Sequence, residues 1–149
     1  MSGITVGVDG SANARGALEW AMKEAAMRNA HLTVLTVNEV AASFWSGKPV
    51  TVPADQTLLE HAREAATELA DKAASELGAS QPASVAIKAV NGYAADELVS
   101  ASKEADLLVV GARGGAQSGG LAAHSPIGSI SNKVLHRAWC PVVVVPASR

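Results

Sequence analysis

Gly111, Arg113 and Gly114, followed by Gly128 and Ser129 at the head of Gly128-Ser129-Ile130-Ser131, are residue types that can hold a phosphate. They stand in the order buried strand (Val109-Val110), glycine-rich loop, helix start. Glycines let the main chain approach an anion closely. A helix start adds N–H groups without intrahelical partners and a partial positive charge. Arg113 can supply a planar two-point donor, or it can be a solvated loop arginine. Gly-rich loops are also common turns, so this stretch alone leaves both readings open. The second candidate is Asp9, in Asp9-Gly10-Ser11. Its carboxylate can accept hydrogen bonds from ribose hydroxyls or an adenine amino group. It can equally form an Asx turn into a helix.

Other chemistries find little support. No Gly-Lys-Ser/Thr follows the glycines, so the Walker A pattern fails. Gly7-Val8-Asp9-Gly10 lacks the later glycine of the dinucleotide fingerprint. His31, His61, His124 and His136 are scattered, and no pair has metal-ligand spacing. Cys140 precedes a proline at the start of a strand and reads as a packing residue rather than a reactive thiol. No Ser–His–Asp or paired-carboxylate arrangement can be defended from sequence order. Trp20 and Trp139 read as packing residues, while Trp45 lies where it could cover a ligand.

Composition sets the frame. The 149 residues fit one domain, 1–149, large enough to bury a core built mainly from Val and Ala. Net charge is −2 with no extended basic cluster, which argues against a nucleic-acid surface or an acidic membrane. One cysteine excludes an intrachain disulfide and suits a reducing compartment. The first strand begins by Ile4, leaving no room for a signal peptide, and no apolar run is long enough to span a bilayer. A cytoplasmic location is expected.

Strands and helices alternate around these residues. Ile4–Val8, His31–Val37, Val85–Val90, Asp106–Val110 and Val142–Val145 read as five strands. Ala14, Ala17, Leu18, Ala21 and Ala25 mark the buried face of a first helix, capped by Ser11 or Asn13. A second helix runs from about Ala54 to Gly78, with a stripe of Leu58, Leu59, Ala62, Ala65, Ala66, Leu69, Ala73 and Leu77. Gly78 can take the left-handed position that ends it. A short third helix buries Leu98 and Val99, and a last one covers Ser129 to His136. The segment from Asn38 to about Pro53 has no clear period and reads as a long loop. Alternation of this kind implies a parallel sheet with helices on both faces, with ligands beyond the carboxyl ends of the strands.

Taken together, Val6-Gly7-Val8-Asp9-Gly10-Ser11, Leu32 to Val37, Ala105 to Gly114, Ile127 to Ser131 and Cys140 to Val145 resemble the universal stress protein (UspA-like) family over essentially the whole chain. The resemblance implies a Rossmann-like α/β fold of the adenine-nucleotide α-hydrolase type, a five-stranded parallel sheet of order 3-2-1-4-5. It implies a cytoplasmic stress-response or regulatory module that binds ATP, with or without Mg²⁺, and is not an enzyme beyond weak, incidental hydrolysis. Asp9 and Val37 would then contact adenine and ribose. Gly111, Arg113, Gly114, Gly128, Ser129, Ile130 and Ser131 would line the phosphates, and Val8 and Val110 would wall the pocket. It also implies a homodimer through Val142–Val145. The nucleotide-binding branch carries Gly-x2-Gly-x9-Gly-Ser/Thr, whereas thirteen residues separate Gly114 from Gly128 here. That difference keeps a second reading in view, a nucleotide-free dimeric interaction protein of the same fold.

Overall fold

The computed structural model describes residues 3–9, 12–39, 42–45, 48–51, 56–112 and 129–146. Along the chain these form β1 (Gly3–Val8), α1 (Ala12–Arg28), β2 (His31–Glu39), β3 (Ala42–Trp45) and β4 (Lys48–Thr51). Then come α2 (Gln56–Leu77), β5 (Ser84–Gly92), α3 (Ala94–Ser102), β6 (Leu107–Gly111), α4 (Ser129–Arg137) and β7 (Val142–Val145). Five strands make one sheet in the order β5-β2-β1-β6-β7, and every pairing in it is parallel. Counting only those five, the order is 3-2-1-4-5, as the family resemblance implied.

Alternation along the strands sorts side chains to two faces. Ile4, Val6, Leu32, Val34, Leu107 and Val109 pack with α1 and α2. Leu35, Leu108 and Val110 pack with Ala95, Leu98 and Val99 of α3 and with Val134 of α4. Covered on both faces, β6 is apolar at every position from Leu107 to Val110. Ala14, Ala17, Leu18, Ala21 and Ala25 are all buried as their spacing predicts, and Met22 joins them. Asn29 ends α1 in the left-handed conformation (φ 51°), and Gly78 does the same after α2 (φ 69°).

Four expectations need correction. The segment from Asn38 to Pro53 is not all loop: Asn38 and Glu39 extend β2, and β3 and β4 form an antiparallel pair in the register Ala42↔Thr51 to Trp45↔Lys48. Ser46 and Gly47, between the two strands, lie outside the described residues. In α2 the buried positions are Ala66, Ala70 and Ala73, whereas Leu58 and Ala65 are exposed. The packed side is chosen by α1 and β5, against which α2 rests, and not by the largest side chains. Asn13 lies inside α1 and is not its cap; Ser11 lies outside the described residues. Trp139 is 71% exposed and is not a core residue. Its main-chain N–H donates to Ser102 Oγ (2.9 Å), which fixes the bend after α4 and leaves the ring outside, 5.9 Å from the Lys103 ammonium.

Candidate functional site

The ladder between β1 and β6 stops early. It pairs Ile4↔Leu107, Thr5↔Leu108 and Val6↔Val109. Yet β1 stays paired to β2 as far as Val8↔Thr36, and β6 to β7 as far as Gly111↔Val145. The final two residues of each central strand have therefore parted. The cause is the winding, because β1 leads to α1 on one face while α4, which follows β6, packs on the other. A crevice opens where the winding reverses.

A cavity fills this split. Its buried lining is Val8, Ala14, Leu35, Leu98, Val110 and Ser131; Gly7, Val37, Ala94, Gly111 and Ile130 are half-buried, and Asp9 is exposed. The walls are mainly aliphatic, and Asp9 and Ser131 are the polar side chains among the lining residues. Asp9, directly after β1, is exposed at the rim.

Two helices begin beside the cavity and differ in charge. At α3, Tyr93 makes no side-chain cap. Glu39, the last residue of β2, supplies one instead, its Oε1 accepting the Ala94 N–H at 3.1 Å. Asp96 and Glu97 add further negative charge to that first turn. The first turn of α4 holds no acidic residue. Its leading N–H groups have no acceptors within the helix. One start is thus already met by carboxylates, whereas the described first turn of the other carries no acidic side chain. The two helices are tied by an exposed ion pair, Arg137 Nη1 to Asp96 Oδ1 at 2.9 Å.

Ser131 is 6% exposed, and its hydroxyl donates to the Gly111 carbonyl at 2.6 Å. Its proton is therefore committed to the protein. Cys140 lies away from the cavity, packed at the edge of the α3–α4 core. Burial, and secondarily the charge of Asp106, push its thiol up from the ordinary range. Among the described residues no cluster of His, Cys, Asp or Glu could hold a metal ion. Nor is any of their helices long and apolar enough to cross a membrane.

Seven of the residues singled out from sequence come together here: Val8, Asp9, Val37, Val110, Gly111, Ile130 and Ser131. Ser129 opens α4 but does not line the cavity. Arg113, Gly114 and Gly128 lie outside the described residues. Gly7, Ala14, Leu35, Ala94 and Leu98 were missed. Only Gly7 carried a signal, since a glycine inside a strand often marks a close approach.

The family model for universal stress proteins matches residues 1–146. The chain belongs to the universal stress protein family. Universal stress protein Rv2005c of Mycobacterium tuberculosis is 33% identical over 144 residues, which are 96% of this chain and 47% of that protein. The chain thus spans about half the length of the curated universal stress proteins it matches. UspA from Lactobacillus plantarum has the same fold, with a TM-score of 0.75 and 22% identity over 97% of both chains. A universal stress protein crystallised in complex with cAMP superposes with a TM-score of 0.67 at 26% identity, covering 99% of this chain and 98% of that one.

Proposed function

We propose that this chain binds an adenine nucleotide, ATP first among them, in the split between β1 and β6, and acts as a stress-response or regulatory module. The observation that carries the reading is the cavity itself, which joins Val8, Asp9 and Val37 from one side of the split to Val110, Gly111, Ile130 and Ser131 from the other. The fit is chemical. Aliphatic walls suit a flat base, the Asp9 carboxylate suits ribose hydroxyls or an exocyclic amine, and the α4 start, with no acidic residue in its first turn, suits phosphate. The carboxylates at α3 turn the anionic end of a ligand away from that helix. The related protein crystallised with cAMP supports adenine as the base. Arg113, Gly114, Gly128 and Ser129 join the phosphate contacts on the strength of the family motif, and Mg²⁺ would arrive with the triphosphate.

The role is binding rather than turnover. Any ATP hydrolysis stays well below about 1 s⁻¹, the low end of ordinary enzymes. Occupancy biases how a partner docks, to the extent that the nucleotide favours one state over another. The partner we include is a second copy. β7 is an edge strand with four half-buried valines, and an unpaired edge invites pairing about a two-fold axis. The thirteen residues between Gly114 and Gly128 favour one competing reading, a nucleotide-free dimer.

Calorimetry with ATP and Mg²⁺, paired with mass spectrometry of whatever leaves the purified protein on denaturation, decides between them. Heat of binding or a released adenine nucleotide is expected. The absence of both would overturn nucleotide binding and leave the dimer. Light scattering tests the dimer itself, and a monomer at tens of micromolar would remove it.

A further inference from the structure

We infer that Ser131 is a positioning residue for the anion end of the cavity and that its hydroxyl does not itself hold the ligand. This rests on the adenine-nucleotide reading above. The argument begins with the Gly111 carbonyl. Leu108 and Ala112 give their N–H groups to Pro141 and Val145 on the β7 side. Backbone groups alternate sides along a strand, so those of Gly111 face β1. The β1 ladder has already ended at Val6↔Val109, so no strand partner reaches that carbonyl. Ser131 Oγ does, at 2.6 Å.

That bond has two consequences for an anion. It covers a partly negative oxygen that would otherwise face the ligand across the cavity. It also fixes the first turn of α4 to the end of β6, although residues 112–128 intervene. The N–H groups of α4 are thereby held at one place whatever the length of the connecting segment. Phosphate is then met by main-chain donors, with Ser131 acting through Gly111 and through the helix.

The test compares ATP with adenosine, which lacks the phosphates, on wild type, Ser131→Ala and Ser131→Thr by calorimetry. Wild type should prefer ATP. Ser131→Ala should lose about three- to tenfold in ATP affinity, the worth of one hydrogen bond, while adenosine affinity stays within about twofold. Ser131→Thr keeps the hydroxyl and should restore the preference. Equal loss for both ligands, or no loss, would overturn the inference and leave nucleotide binding intact. Wild type that binds the two ligands equally would overturn it too. Wild type that binds neither would overturn this inference and the proposed function together. Should Ser131→Ala fail to fold, Ser131→Cys carries the same comparison with a weaker donor.

Discussion

A β-carbon on Gly7 would lie 2.8 Å from Leu98 Cδ2 and 3.3 Å from Leu98 Cδ1. The missing side chain of β1 is what lets α3 sit against the sheet, and the leucine it admits forms part of the cavity wall. Gly7→Ala should leave the fold intact, because the contact is with the tip of a flexible side chain. Gain in strand propensity and loss in packing should leave stability within about 2 kcal/mol of wild type. The tip moves most easily into the cavity it lines, so nucleotide affinity should fall about tenfold or more. A denaturant melt paired with calorimetry separates the two effects, and unchanged affinity would show that Leu98 does not set the shape of the slot.

Gly114→Glu places a carboxylate in the segment that the family motif assigns to phosphate. Repulsion of like charges and the lost close approach should abolish ATP binding. Adenosine should be affected much less. Retained ATP affinity would separate this segment from the ligand.

Leu108 is fully buried on the central strand β6, whereas Trp139 is mostly outside. Leu108→Ala should therefore cost about 2–5 kcal/mol, a large part of the stability of a domain of this size. Trp139→Ala forfeits chiefly the contact with Lys103, about 0.5–1 kcal/mol. Urea melts of both variants check the contrast. A Trp139→Ala cost as large as that of Leu108→Ala would return the indole to the core.

Cys140 should react slowly. With its thiol held above the ordinary range by burial, little thiolate is present near neutral pH. Iodoacetamide should modify it more slowly in the folded protein than in urea, at about pH 8. The sign for stability follows. The folded group binds its proton more tightly than the unfolded one, so its contribution is complete below the unfolded pKa and is lost as pH rises through the folded pKa. Cys140→Ala should flatten the alkaline limb of the stability profile.

Where a local rule and the tertiary packing agreed, the sequence was legible. Val142–Val145 was placed to the residue because four β-branched side chains stand between Pro141 and Pro146. Gly78 announced the end of α2 because only its missing side chain makes the left-handed turn easy. Asp9 and Gly111 were singled out because each lies at the carboxyl end of a parallel strand, whereas Val37, two residues short of the end of β2, came only from the family resemblance. What stayed hidden was set by partners distant in the chain. Nothing near Leu98 says that it will fill the space left by Gly7, ninety-one positions earlier. Nothing near Glu39 says that it will cap a helix beginning at Ala94. Trp139 was misread because a large apolar ring is normally buried, while here a main-chain bond to Ser102 decides which way the bend faces.

The early end of the β1–β6 ladder puts the cavity between the two central strands rather than on an appendage. Its lining comes from β1, β2, β6 and three helices, so binding there should be coupled to the melting of the domain. At a hundredfold excess over Kd, occupancy would add about 2.7 kcal/mol, or roughly 5–10 °C to the midpoint of a chain this long. Thermal denaturation can therefore rank a library of nucleotides unaided, the scaffold serving as its own reporter.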